Sequence, residues 1–170
     1  MSQLTAGQTL TASLLNSKFQ KCIARARRTT NSSASTSTTS VGVLRLDDKP
    51  IKALRTYRIT WKANFDVATQ TDTLRGLIRY TTDGSTPTTS STILPGSGGE
   101  TSFTSNATAS GVTIVTDYTP VADEILSTLL CIQHNVGTGN GIMQADGTTF
   151  TVDVYIDDMG DDPGNTGTAV

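Results

Sequence analysis

A chain of 170 residues has room for one domain with a true core and a small appendage, which excludes a multidomain machine. With 32 Thr and 16 Ser, and only 16% charged residues, the composition favours strands and turns over a helical bundle. The net charge of −2 conceals two poles: residues 1–62 carry 11 Lys and Arg against Asp47 and Asp48, whereas residues 63–170 carry Arg75 and Arg79 against 13 acids. Such polarity suits a molecule that attaches by one end and stays solvated at the other. The positive residues are spread over several elements rather than gathered in a patch, which argues against nucleic acid as a partner.

Met1 to Thr5 lack the basic-then-apolar layout of a secretory signal, and no apolar run approaches the ~20 residues needed to span a bilayer. Cytosolic synthesis and no membrane partner are expected. Cys22 and Cys131 are far apart in sequence and too few for a disulfide framework, so both are expected as free thiols.

The first predicted element is an α-helix over residues 12–28. Thr11 serves as its N-cap, and Leu10 can reach Leu15 as a hydrophobic staple. Leu15, Phe19, Cys22, Ile23 and Ala26 recur at helical spacing and form an anchoring stripe. Arg25, Arg27 and Arg28 crowd the last turn, where positive charge complements the helix dipole, and form a basic attachment group. So short a helix is marginal alone and must pack, either on its own domain or on a neighbouring molecule. Residues 29–40 hold no large apolar side chain and read as an extended Ser/Thr-rich arm. The predicted organisation is therefore a helical anchor and arm over 1–40, a β-sandwich over 41–160, and an extended tail over 161–170.

From Val41 onward the period is two. Residues 43–47 open the sheet, and Tyr57, Ile59, Trp61, Ala63 and Phe65 then alternate with polar residues as a core-facing strand. Leu74, Gly76, Ile78 and Tyr80 share one face of a third strand. The loop 81–87 has the Asp-Gly and Pro signals of a tight turn. Strands over 112–118 and 125–132 follow, the latter apolar on both faces as a central strand should be. Gly137 to Gly141 turn the chain, and Phe150, Val152, Val154 and Ile156 alternate in the last strand. The expected fold is mainly β: an antiparallel, jelly-roll-like sandwich.

Chemistry is sparse. His134, the one histidine, falls on the core face of the central strand and has no nucleophile elbow to serve. Cys131 and His134 lack a second pair to complete a zinc site. Asp157, Asp158, Asp161 and Asp162, near Asn165, do not follow an EF-hand spacing and read as a solvated acidic end. Asp123-Glu124 in a turn and Glu100 in a loop place no two acids in a groove. The glycines at 137, 139 and 141 lack the helix that a phosphate loop requires. No catalytic residue, metal or cofactor is expected.

Two stretches carry a resemblance. Leu4-Thr5-Ala6-Gly7 through Leu14-Leu15-Asn16 resembles the opening of many phage virion proteins, particularly tail and fibre-type proteins of actinobacterial phages. Residues 43–59, with Arg45-Leu46-Asp47-Asp48-Lys49-Pro50 at their centre, and Val154-Tyr155-Ile156-Asp157-Asp158-Met159-Gly160 look like the sandwich module of the same proteins. Leu54 departs from that pattern, standing where a Gly would make a sharper turn. The resemblance implies an exterior virion component made in the bacterial host cytoplasm. It also implies a homotrimer whose partners are capsid, collar or tail proteins. The segment 80–87 further resembles small sandwich domains appended to carbohydrate-active enzymes. That leaves a carbohydrate- or host-receptor-binding module as the second class, although Tyr57, Trp61 and Phe65 share a strand face and read as core rather than a glycan platform.

Overall fold

The computed structural model describes residues 21–67, 73–102, 109–136 and 139–161. Every regular element among them is a strand: β1 (Lys21–Arg28), β2 (Val41–Ile51), β3 (Arg55–Val67), β4 (Thr73–Thr81), β5 (Gly99–Ser102), β6 (Ser110–Tyr118), β7 (Glu124–Val136), β8 (Gly141–Gln144) and β9 (Val152–Asp161). They form two antiparallel sheets. One runs β1-β9-β3-β6, with β8 also paired to β3; the other runs β2-β7-β4-β5. Leaving β8 aside, the pairs nest: β1 with β9, β2 with β7, β3 with β6 and β4 with β5. That is the order of one long hairpin rolled up on itself.

The core lies between the sheets and is built from the period-two residues. Tyr57, Ile59, Trp61, Ala63, Phe65 and Val67 of β3 all face inward and are buried. They meet Leu126, Leu130 and Ile132 of β7, Leu74 and Ile78 of β4, and Val152, Val154 and Ile156 of β9. Each such side chain contributes about 1.5–3 kcal/mol on leaving water. Trp61 and Phe65 stack edge-on at 6.1 Å, and only a glycine fits opposite them: a Cβ on Gly76 would lie 2.6 Å from the Trp61 ring.

The predicted helix is corrected by β1. Residues 21–28, including Cys22, Ile23, Ala26 and the three arginines, form a strand paired to β9 from Lys21↔Asp158 to Arg28↔Val152. Residues 12–20, with Leu15 and Phe19, lie outside the described residues. The physical reason is legible in the sequence. Ala24-Arg25-Ala26-Arg27 alternates small apolar with charged residues at period two, and β9 offers a complete ladder that a helix would leave unpaired. The 3.6-residue stripe and the two-residue alternation overlap here, and tertiary pairing decides between them.

The Ser/Thr arm is also part of the sandwich. Beyond β1 it continues along the same edge beside β8. Ser32 N donates to Met143 O at 3.0 Å, and Ser35 exchanges both backbone bonds with Gly141 at 2.7 and 2.9 Å. It then crosses to the other sheet, where Ser37 O accepts from His134 N and Ser40 Oγ bonds Gln133. Arg28 holds the corner by donating to the carbonyls of Thr30, Asn31 and Val43. Ser32 and Ser35 are buried along this path, and the Ser32 hydroxyl accepts from Met143 N.

Two strands escape sequence reasoning. β5 lies in the Gly/Ser/Thr-rich stretch, where no hydrophobic alternation marks it. β8 and β9 follow one another along the same flank of β3, pairing at Asn64–Val67 and Arg55–Lys62 respectively. The excursion between them is folded by Asp146, whose Oδ1 accepts from the amides of Thr148, Thr149 and Phe150.

Candidate attachment pole

The rolled-up order puts the connections β2–β3, β4–β5 and β6–β7 at one pole of the sandwich. The described chain enters and leaves there too. Lys21 and Tyr57 are both paired with Asp158, and Arg55 is paired with Asp161. The opposite pole carries the arm over residues 29–40 and the excursion over 145–151, both rich in hydroxyls and poor in large apolar groups.

The entry pole carries the hydroxyl-rich β4–β5 connection as well, and adds an exposed apolar surface. Val121 is 87% exposed and Leu54 67%, the two large apolar side chains most open to water among the described residues, and Ile125 beside them is 44% exposed. Their loops are clamped together. Leu54 N donates to Pro120 O at 2.9 Å, Ala53 N to Asp123 Oδ1 at 3.0 Å, and Lys52 Nζ reaches Asp123 Oδ2 at 2.6 Å. The Lys52 and Ala53 donors hold the Asp123 carboxyl below its ordinary pKa. Beside this platform, Ile23, Pro50 and Tyr57 wall a cleft of about 230 Å³ rimmed by Lys49, Lys52 and Asp158.

The acids near this pole are taken up internally. Arg55 bonds Asp158 bidentately and reaches Asp161 at 3.2 Å. Tyr118 donates its hydroxyl to Glu124 at 2.6 Å, and burial followed by that carboxylate raises the phenol pKa. Glu100 faces Arg75 at 3.6 Å, at the start of β5. Asp162 and Asn165 lie outside the described residues. Among those described, no three His, Cys, Asp or Glu side chains are placed to hold a metal ion.

The sequence-predicted residues divide by face. Tyr57, Ile59, Trp61 and Phe65 sit in the core. Ile23, Ala24 and Ala26 pack against it from β1, while Cys22 is exposed. Arg25 and Arg27 project from the outer face of the first sheet, where both bond Asp153 Oδ1, at 3.1 and 2.7 Å, and Arg25 also lies over the Tyr155 ring. Arg28 is spent on the arm. His134 is fully buried, with Nε2 2.9 Å from Ser35 O. The pole residues Leu54 and Val121 were not singled out by periodicity, since loop side chains have none.

The outer faces of the sheets also contrast. On the first, Arg58 pairs with Asp117, and Arg25 and Arg27 with Asp153. On the second, the register aligns Gly42, Cys131 and Leu77 in one row and Arg45, Leu129 and Arg79 in the next. Cys131 and Leu77 are buried there, and burial pushes the Cys131 thiol up to about 11.

The family model described as Fn3 associated matches residues 67–107, which take in β4, the following loop and β5. No curated protein matches the sequence. Similar solved structures include infectious bursal disease virus, Gx strain, at 11% identity and TM-score 0.42, covering 82% of this chain and 37% of that one. Dimeric latent PorU from Porphyromonas gingivalis aligns at 7% identity and TM-score 0.46, over 93% of this chain and 14% of that one. Deformed wing virus, a honeybee pathogen, aligns at 12% and 0.31, over 100% and 55%. This chain thus spans well under half the length of the first two, and no function carries over from any of them.

Proposed function

We propose that this chain is a non-enzymatic structural component of a phage particle: a jelly-roll sandwich fixed by its N-terminal side and displayed on the exterior. The observation that carries this reading is the polarity of the fold. Entry at Lys21 and exit at Asp161 share one pole with an exposed apolar platform. The nested pairing is that of a jelly roll, an architecture of viral capsid and lectin domains. The resemblance of residues 4–16 and 43–59 to phage tail and fibre-type proteins supplies the kind of body: capsid, collar or tail. Within that class the molecule is a short fibre or a capsid decoration protein. We propose further that it assembles as a homotrimer, as that resemblance implies.

The test is incorporation. Particles assembled with the full chain carry it through purification, and particles assembled with residues 21–170 do not, while circular dichroism shows the shortened chain still folded. Equal incorporation of both would overturn attachment through the N-terminal side.

A second reading, as a glycan- or receptor-binding module, is favoured by one feature. Tyr80, Thr81, Thr82 and Asp83, from the segment 80–87 that resembles domains of carbohydrate-active enzymes, line an open polar cleft of about 330 Å³ together with Ser91 and Thr92. Saturable glycan binding that is lost in Asp83→Ala would favour it.

A further inference from the structure

We infer that the outer edge of β6 is a pairing surface for β6 of a second copy of this chain, joined antiparallel about Val115. The inference does not rest on the virion reading, and this twofold contact is separate from the threefold assembly proposed above. The two sheets end in β1 and β6 and in β2 and β5, and three of these edges are unsuited to pairing. β1 carries a bulge at Cys22–Ala24 and the cationic side chains of Lys21, Arg25, Arg27 and Arg28. β2 has two register shifts, Pro50, and Asp48 at φ 56°. β5 is four residues long. β6 has none of these devices. Its nine residues hold an unbroken register against β3, from Tyr57↔Tyr118 to Phe65↔Ser110, and include no proline, lysine or arginine. Among the described residues, its backbone bonds only to β3, so the donors and acceptors of its other side form a template for one more strand.

The occupant follows from the charges on the outer face. A twofold axis at Val115 sets Val115 against itself, and Thr113 against Asp117 of the second copy. On β3, Thr60 flanks Val115, Lys62 flanks Thr113, and Arg58 flanks Asp117. One row across the joined sheets therefore reads Lys62 and Thr113, then Asp117 and Arg58 of the second copy, and symmetry repeats it. Lys62 is exposed and takes no part in the ion pairs of this face; Asp153, opposite it on β9, is already held by Arg25 and Arg27. Two strand spacings, about 10 Å, separate Lys62 from Asp117 of the second copy, a span that their side chains close together. Unlike charges thus alternate along the row, and Val115, 49% exposed in the single chain, loses water against its own copy. Neighbouring registers lack this match. An axis at Ile114 ends the Lys62 row on Val115 and Thr60, and one at Thr116 sets Val115 against Asp117.

Cysteine pairing in the full chain tests this. Every variant carries Cys22→Ser, and a mild oxidant is applied to the folded protein. Opposed residues on antiparallel strands have Cα atoms about 4.5–5.5 Å apart, within the range of a disulfide. Val115→Cys should therefore form a covalent dimer by itself, and Thr113→Cys should link to Asp117→Cys when the two proteins are mixed. Thr113→Cys by itself should not link, because four residues along the strand, roughly 13 Å, separate it from its own copy. Adding Lys62→Glu to Val115→Cys should cut the yield of dimer about fivefold, with the thermal unfolding midpoint within a few degrees. Equal yields from Val115→Cys and Thr113→Cys alone, an unchanged yield with Lys62→Glu, or no linked product at all would each overturn the inference.

Discussion

The Nε2 atom of His134, in the central strand of one sheet, lies 2.9 Å from the carbonyl oxygen of Ser35, in the arm that follows the edge strand of the other. A carbonyl can only accept, so Nε2 carries the proton. Both residues are fully buried, and the bond ties the arm to the core rather than to solvent. His134→Ala should therefore cost about 2–4 kcal/mol, chiefly from the cavity, since Ser35 O still accepts from Gly141 N. By the same geometry, a fragment starting at residue 41 loses both the β1 ladder and the arm and should unfold at far lower urea than the full chain. Equilibrium urea denaturation checks both.

Leu54 stands in a turn at φ 60° with its side chain in water. Replacing it by glycine removes the clash of the β-carbon with the backbone but loosens the unfolded chain. The first effect is larger at a left-handed position, so Leu54→Gly should raise stability by about 0.5–1 kcal/mol, read as an upward shift of the unfolding midpoint.

Acid should unfold the protein through its paired carboxylates. Asp117 is held below its ordinary value by Arg58, Asp123 by Lys52, and Asp146 by the amides of Phe150 and Thr148. For Asp153, burial pushes upward, but the bonds from Arg27, Thr151 and Arg25 outweigh it and the net direction is down. A depressed folded-state pKa adds stability that is complete above the unfolded value of 3.8 and vanishes as pH falls through the folded value. Thermal midpoints should thus be nearly flat from roughly pH 5 to 8 and fall below about pH 4. Arg27→Ala should lower the midpoint above pH 5 and make the fall below pH 4 shallower, because Asp153 then has less stabilisation to lose.

The thiols should separate in reactivity. Cys22 is exposed, although burial of its sulfur and the Asp157 carboxylate raise its pKa; Cys131 is buried and pushed up to about 11. A disulfide reagent near neutral pH should titrate one thiol in the native protein and both in denaturant. Cys22→Ser should abolish the native reaction.

The sandwich was legible wherever one face of a strand is buried and the other wet, as in β3, where Tyr57 to Phe65 alternate without a break. It was not legible where pairing, rather than burial, makes the strand. β5 has no large apolar residue, and β8 is four residues interrupted from β9 by the Asp146 excursion. At β1, Ile23 and Ala26 fit a helical stripe as well as a strand, and the deciding ladder on β9 lies more than a hundred residues away. The pole was only half visible. Leu54 stood out as a departure from a glycine, but nothing local connects it to Pro120 and Val121, because loops meet through topology and leave no periodic mark.

Placement on a particle is tested most directly by quantitative mass spectrometry of density-purified virions. The chain should be present at a fixed copy number that is a multiple of three and should survive washing in high salt. Recovery only in the soluble lysate, with none in the purified particles, would contradict a structural role in the virion.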